Sequence, residues 1–179
     1  MVDERAEATP SFQVTCFANR STAEIPGAIQ NAERSIDILQ MNLDSVRSEL
    51  IGPIKHALER QPQMRVRVLT LDPSSAYIVG RGQQLGIRLN QHRDDLHRNV
   101  REVASALSEF PSQFSLRIYN EYPTQITMRV DDVVYVGTIA KNHRSRELCT
   151  FRLDVGAAGV ERSFVNQFDA IWETSTEYQ

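Results

Sequence analysis

At 179 residues, with 41% hydrophobic and 24% charged residues, the chain has the size and composition of a single globular domain; it leaves no room for a second catalytic domain and is not a disordered or disulfide-built chain. A formal charge of -3 and a pI near 5.8 argue against broad capture of a polyanion, so any nucleic-acid contact has to be local. The start, MVDERAEATP, lacks the apolar core of a leader, residues 1–11 read as flexible, and no run reaches the ~18 apolar residues of a membrane span; the expectation is a cytoplasmic protein without membrane contact.

FQVTCFA (12–18) alternates as a strand, and Thr22 is placed to cap a helix over AEIPGAIQNAER (23–34), whose Ile25, Ile29 and Ala32 recur at helical spacing. SIDILQMN (35–42) reads as a second strand. VRSELIGPIKHALERQ (46–61) reads as a helix with Leu50, Ile54, Ala57 and Leu58 on one face, kinked or started by Pro53. RVRVLTL (65–71) is a third strand closed by the turn Asp72-Pro73-Ser74-Ser75. Three strand-helix steps in succession predict parallel pairing.

A long helical stretch follows over 76–110, with breaks predicted near Gly80–Gly86 and Asn90–Arg93 and an apolar stripe of Leu96, Val100, Val103 and Leu107. Beyond Pro111 come four short strands, FSLRIYN (114–120), QITMRV (125–130), VVYVGT (133–138) and ELCTFRL (147–153), whose short connections predict antiparallel hairpins. Val160 to Thr174 carries Phe164, Phe168, Ile171 and the single Trp172 at packing spacing and reads as a closing helix. The fold class is therefore α/β: a central mixed sheet with an N-terminal βαβαβ, a C-terminal β-meander and a closing helix. Cys16 and Cys149 lie in strand-like runs and read as buried thiols. They lack paired spacing, and His92 and His97 are five apart and miss the i, i+4 step, so no metal and no cofactor is expected.

The segment TQITMRVDDVVYVGT (124–138), with the later SRELCTF, resembles one half of the phospholipase D superfamily. That family's signature is His-x-Lys-x4-Asp, then Gly-Ser-x-Asn, then a Glu on the next strand. Asp131 falls on the signature Asp, Gly137-Thr138 on the Gly-Ser step with one residue fewer between, and Glu147 on the later Glu, but Thr124 and Ile126 stand where His and Lys belong. LDPSS (71–75), Arg81, RVDD (129–132) and FDAIW (168–172) are similar to bacterial phospholipase D-like domains of unknown activity. The resemblance implies a phosphohistidine chemistry in which His attacks phosphorus and Lys neutralises the phosphoryl oxygens. Thr124 is a poor nucleophile and Ile126 carries no charge, so the motif reads as degenerate.

Asp131-Asp132 between apolar strands is first of all hairpin-turn chemistry, and RLNQHRDDLHRNVRE (88–102) alternates charge as a solvated helix or a dimer surface does. Ligands in open α/β sheets bind at the carboxyl ends of the parallel strands, where Asn42, Asp72 and Arg81 are expected. Arg129 and Thr138 complete the expected cleft, and the basic loop KNHRSRE (141–147) adds Lys141 and Arg144 as anion donors, with Asn142 near the family's Asn position. Two functions follow. One is a non-catalytic sensor for a small anionic ligand, a nucleotide or sugar phosphate, with precedent in regulators whose phospholipase D-like domain only binds. The other is a homodimeric phosphodiesterase or nuclease using a displaced His143 as nucleophile. A domain docking on a regulatory protein partner is a third possibility.

Overall fold

The computed structural model describes residues 14–122, 124–154 and 160–178; the stretch expected to be flexible, 1–11, lies outside them. One mixed sheet organises the chain. Its strands are β1 (Val14–Phe17), β2 (Ser35–Gln40), β3 (Arg65–Leu71), β4 (Phe114–Tyr119), β5 (Ile126–Val130), β6 (Val133–Gly137), β7 (Thr150–Asp154) and β8 (Thr176–Glu177), in the order β1-β7-β6-β5-β2-β3-β4-β8. The helices are α1 (Ile25–Gln30), α2 (Ile51–Arg60), α3 (Tyr77–Leu85), α4 (Leu89–Leu107) and α5 (Val160–Thr174).

The parallel centre is β2-β3-β4, with Ile36 opposite Val66 and Val68 opposite Leu116. β4 does not form the expected hairpin with β5. It is reached from β3 through α3 and α4, a crossover long enough to return the chain in the same direction, while β5 runs across to pair antiparallel with β2. The meander is β5-β6-β7. β1 stands outside the parallel set as well, pairing antiparallel with β7 at the sheet edge. That position leaves Cys16 exposed and Cys149 half-buried, against the expectation of two buried thiols.

Strand alternation assigns the two faces. Ile36, Ile38, Val66 and Val68 share a buried cluster with Ile29 of α1, Ile54 and Leu58 of α2 and Leu96, Val100 and Val103 of α4. Asp37, Arg67 and Arg117 point the other way, to α5. There Arg67 bridges Asp37 and Asp169 and lies 4.8 Å from the Phe168 ring centre, and Arg117 donates to Trp172 O at 2.8 Å. The closing helix is thus docked by guanidinium stacking and ion pairs around Phe168 and Trp172.

Three local expectations change in detail. Asn19, not Thr22, caps the first turn: its side chain accepts from Thr22 N, and Thr22 Oγ1 returns a bond to Asn19 O. Val46–Leu50 forms a wider turn, closed by Ile51 N on Val46 O, before the α-helix begins at Ile51 and accommodates Pro53 in its first turn. The long helical stretch has one break, at Gly86, whose φ of 67° ends α3; α4 runs unbroken through Asn90–Arg93.

Candidate functional site

The β5-β6 hairpin lies at the amino ends of the parallel strands. Asp131 adopts φ 50°, and its carboxylate accepts from Glu33 N, Arg34 N and Ser35 N at 2.8–2.9 Å, while Asp132 pairs with Arg34. Burial acts to raise the Asp131 carboxyl, but the three backbone donors outweigh it and hold its pKa below the ordinary value. The residue on the family's Asp position therefore ties the hairpin to the start of β2.

The opposite end of the sheet holds a cavity of about 270 Å³. It opens beyond the end of β2, between α3, α4 and the loop after β6, where the topology of an open α/β sheet favours ligands. Gln40 and Asn42 approach from β2, Ile126 from β5, Arg81 from α3, His92 and Asn99 from α4, and Arg144 and Arg146 from the loop. Arg20, from the turn after β1, completes the wall. Five arginines (20, 81, 98, 144, 146) face two carboxylates, Asp44 and Asp95, an excess of three positive charges with His92 neutral.

Those charges are unequally paired. Asp95 accepts from Arg98 at 2.7 Å, and Asp44 is shared by Arg47, Arg146 and Arg144 at 3.5, 3.4 and 3.8 Å. Arg20 and Arg81, only 7% and 6% exposed, have no carboxylate within 4 Å among the described residues. Arg20 donates to Ser45 Oγ at 2.7 Å and to Ser145 Oγ at 3.5 Å, passing over Gly137, and Ser45 donates onward to Gln40 Oε1. Arg81 donates to Ala140 O, His143 O and Gln84 Oε1, clasping the loop to α3. Burial lowers both guanidinium pKa values; at Arg20 Glu49 opposes and Arg146 adds to the lowering. An unmatched buried ion costs several kcal/mol, so an anion in this cavity is favoured.

His92 is 6% exposed and packs beside Gly82. Burial lowers its pKa from 6.5, Asp95 opposes, and Arg81 and Arg144 lower it further, so it is neutral near pH 7.

Of the residues singled out from the sequence, Asn42, Arg81 and Arg144 line this cavity; Asp72, Arg129, Thr138 and Lys141 do not. Asp72 caps its own turn, accepting from Ser74 N and Ser74 Oγ at 2.7 Å. Arg129 lies on the α5 face, three residues from Ile126 along one strand, with Nε on Asp131 O and Nη1 3.7 Å from Asp37. Thr138 and Lys141 are exposed. The His143 side chain is 58% exposed beside Glu147, and only its carbonyl turns to Arg81. Glu147 caps a short helical turn before β7 by accepting from Arg144 N. Asn142, at φ 64°, donates its backbone N–H to Gln84 O. Ile126 occupies the Lys position within the wall, and Thr124 accepts from Gln167 of α5 at 2.7 Å.

Sequence reading missed Arg20, Gln40, His92 and Asn99. A signal existed for two of them. His92 and Asn99 extend the apolar stripe of α4 at helical spacing from Leu96, and polar residues inside such a stripe mark a buried polar site. Nothing local marks Arg20, whose neighbours in the cavity are distant along the chain.

The chain matches no family model, and no curated protein matches it. Among solved structures, phosphatidylserine synthase from Haemophilus influenzae Rd KW20 superposes with a TM-score of 0.65 at 13% identity, over 94% of this chain and 40% of that one. Nuc, a phospholipase D family member from Salmonella typhimurium, superposes at 0.59 and 14% identity, over 95% of this chain and 99% of its own. The chain has the phospholipase D-like fold. TrmBL2, an archaeal chromatin protein with a novel mode of DNA binding, matches at 0.60 and 13% identity over 93% of this chain. This chain spans 55% of TrmBL2, and no helix among its described residues is long and apolar enough to cross a membrane. At these identities the likeness concerns the fold.

Proposed function

We propose that this chain is a non-catalytic binding module that takes a small anionic ligand in the cavity at the carboxyl ends of its parallel strands. The observation that carries the reading is the pair of buried arginines, Arg20 and Arg81, which line the cavity with no carboxylate within 4 Å among the described residues. Arg144, with Arg146, adds partly exposed donors from the loop, and Asn42 holds the start of the following turn by accepting from Asp44 N at 3.1 Å. Ile126 offers no charge to a phosphoryl transition state, and Thr124 is engaged by α5. His143 turns its ring to solvent, away from the cavity, so it is not placed as the nucleophile of the alternative reading; the imidazole in the cavity wall is His92.

A regulatory role follows from the loop. Arg81 and Arg20 hold it through His143 O, Ala140 O and Ser145 Oγ, so an anion drawing on those arginines changes how the loop is held. The signal is a change in that surface, presented to a second copy or to a regulatory protein. Incubation with bis(p-nitrophenyl) phosphate is expected to give no turnover above buffer, and phosphorylated small molecules to raise the melting temperature saturably. Turnover that disappears in His92→Ala or His143→Ala overturns the reading.

A further inference from the structure

The two buried guanidinium groups reach the cavity at different places. Arg20 lies against Ser45, Gly137 and Ser145, near the ends of β2 and β6, and Arg81 against Gln84 of α3 and the carbonyls of Ala140 and His143. They share no partner. Among the described residues Arg20 uses two of the five N–H groups of a guanidinium on side-chain hydroxyls, and Arg81 uses three, so each keeps donors for a ligand. Arg67 shows how the same fold treats an arginine that serves packing: Nε and Nη2 meet Asp37, and Nη1 meets Asp169. Burial acts to lower the Arg67 pKa, yet those carboxylates raise it; at Arg20 and Arg81 the lowering stands.

Like charges close together depress one another. The like charge that acts on Arg20 is Arg146, which reaches Asp44 beside Ser45. Arg81 is lowered by burial alone, and it acts with Arg144 on His92. Two arginines gripping a single phosphate would press on each other, and these two do not. The wall therefore has two cationic places, Arg20 with Arg146 and Arg81 beside His92, and Arg144, also 3.8 Å from Asp44, stands between them.

Charge and size fit a ligand that fills both. A phosphate brings about 1.5 to 2 negative charges to a wall with an excess of three positive ones, and two linked phosphoryl groups bring about three. At roughly the 30 Å³ that liquid water takes per heavy atom, a phosphate fills about half of the cavity of 270 Å³ and a diphosphate about all of it. We infer that the ligand carries a diphosphate group, one phosphoryl held at Arg20 with Arg146 and the other at Arg81, with Arg144 between them. This rests on the anion-binding reading above and names the class of anion.

The test is calorimetric titration of the full chain, at constant ionic strength and without divalent cations, with pyrophosphate, methylenediphosphonate, ADP, inorganic phosphate and citrate, a compact trianion without phosphorus. Pyrophosphate and methylenediphosphonate are expected to bind one per chain and about 100-fold more tightly than inorganic phosphate, the order of gain when linked groups fill two places. Citrate should bind at least ~10-fold more weakly than pyrophosphate, because its charge matches but its geometry does not. In Arg81→Gln the affinity for pyrophosphate is expected to fall ~10- to 30-fold and that for inorganic phosphate, seated at Arg20, less than ~3-fold. ADP binding more tightly than pyrophosphate supports a diphosphate ester as the source, and the reverse supports the free ion. Inorganic phosphate within ~3-fold of pyrophosphate, citrate equal to it, or an equal fall for both phosphates in Arg81→Gln overturns the inference and leaves the anion site standing. The wild-type comparison decides alone if Arg81→Gln does not fold. Failure of every anion to bind overturns the anion site as well.

Discussion

The two ends of the sheet treat their polar groups in opposite ways. At the hairpin end, Asp131 has three backbone donors and Asp132 an arginine. At the cavity end, Arg20 and Arg81 are buried without a carboxylate among the described residues, and Gln40 and Asn99 each keep an atom unmatched among them. A group whose partners are all inside the protein stabilises the fold. A buried charge without one costs stability unless something from outside the protein completes it. By that criterion the aspartate of the signature segment serves the fold, and the proposed ligand belongs at the other end.

The contrast can be broken first at Arg20. Arg20→Met removes an unmatched buried charge, so anion affinity is expected to fall ~30- to 100-fold, as for a lost hydrogen bond to a charged group. The melting temperature should stay level or rise. Calorimetry and thermal melts of the same sample check both, and a variant that loses stability but keeps its affinity makes Arg20 a structural residue.

Asp131→Ala should do the reverse, costing about 2 kcal/mol in urea unfolding while leaving anion affinity unchanged. The sign of its pH dependence is fixed by the lowered pKa. The carboxylate contribution is complete above the ordinary value of 3.8 and is lost as pH falls through the lower folded value, so wild type and variant should converge in stability in acid.

His92 sharpens the comparison by a smaller margin. Its folded pKa lies below 6.5, so folding favours the neutral ring and that stabilisation is lost as pH falls from 6.5 towards the folded value. A bound dianion favours the protonated ring. Sulfate, which stays a dianion throughout, should bind several-fold more tightly at pH 5.5 than at pH 7.5, by roughly the ~1 kcal/mol of a partly screened charge pair. His92→Gln should flatten that profile. Asp44→Asn has the smallest expected effect: the carboxylate competes for Arg144 and Arg146, and its loss should raise sulfate affinity about threefold, in keeping with exposed ion pairs worth under ~1 kcal/mol.

Much of the architecture could be read from periodicity. β3 falls where RVRVLTL alternates, α5 where Phe164, Phe168 and Ile171 recur, and the mixed sheet with its meander and closing helix is as expected. Pairing was less legible. β1 and β4 look like members of local units, yet their partners are set by tertiary packing: β1 lies against β7, and β4 is returned parallel to β3 by a long crossover. The site was legible in part. Asn42, Arg81 and Arg144 follow from the strand ends and the basic loop. That Arg129 and Ile126 lie on opposite faces also follows from the two-residue period of a strand, a constraint that excludes Arg129 from any cleft lined by Ile126. Arg20 could not be found this way, because its burial depends on Ser45, Gly137 and Ser145, which the folded sheet brings to it.

The most direct measurement is an anomalous difference map from crystals grown with tungstate, an electron-dense tetrahedral dianion. The account predicts a peak in the cavity beyond the end of β2, within hydrogen-bonding distance of Arg20 and of Arg144 or Arg146, and absent from Arg20→Met crystals. Peaks confined to other surfaces, with the cavity open to solvent and empty, would contradict it.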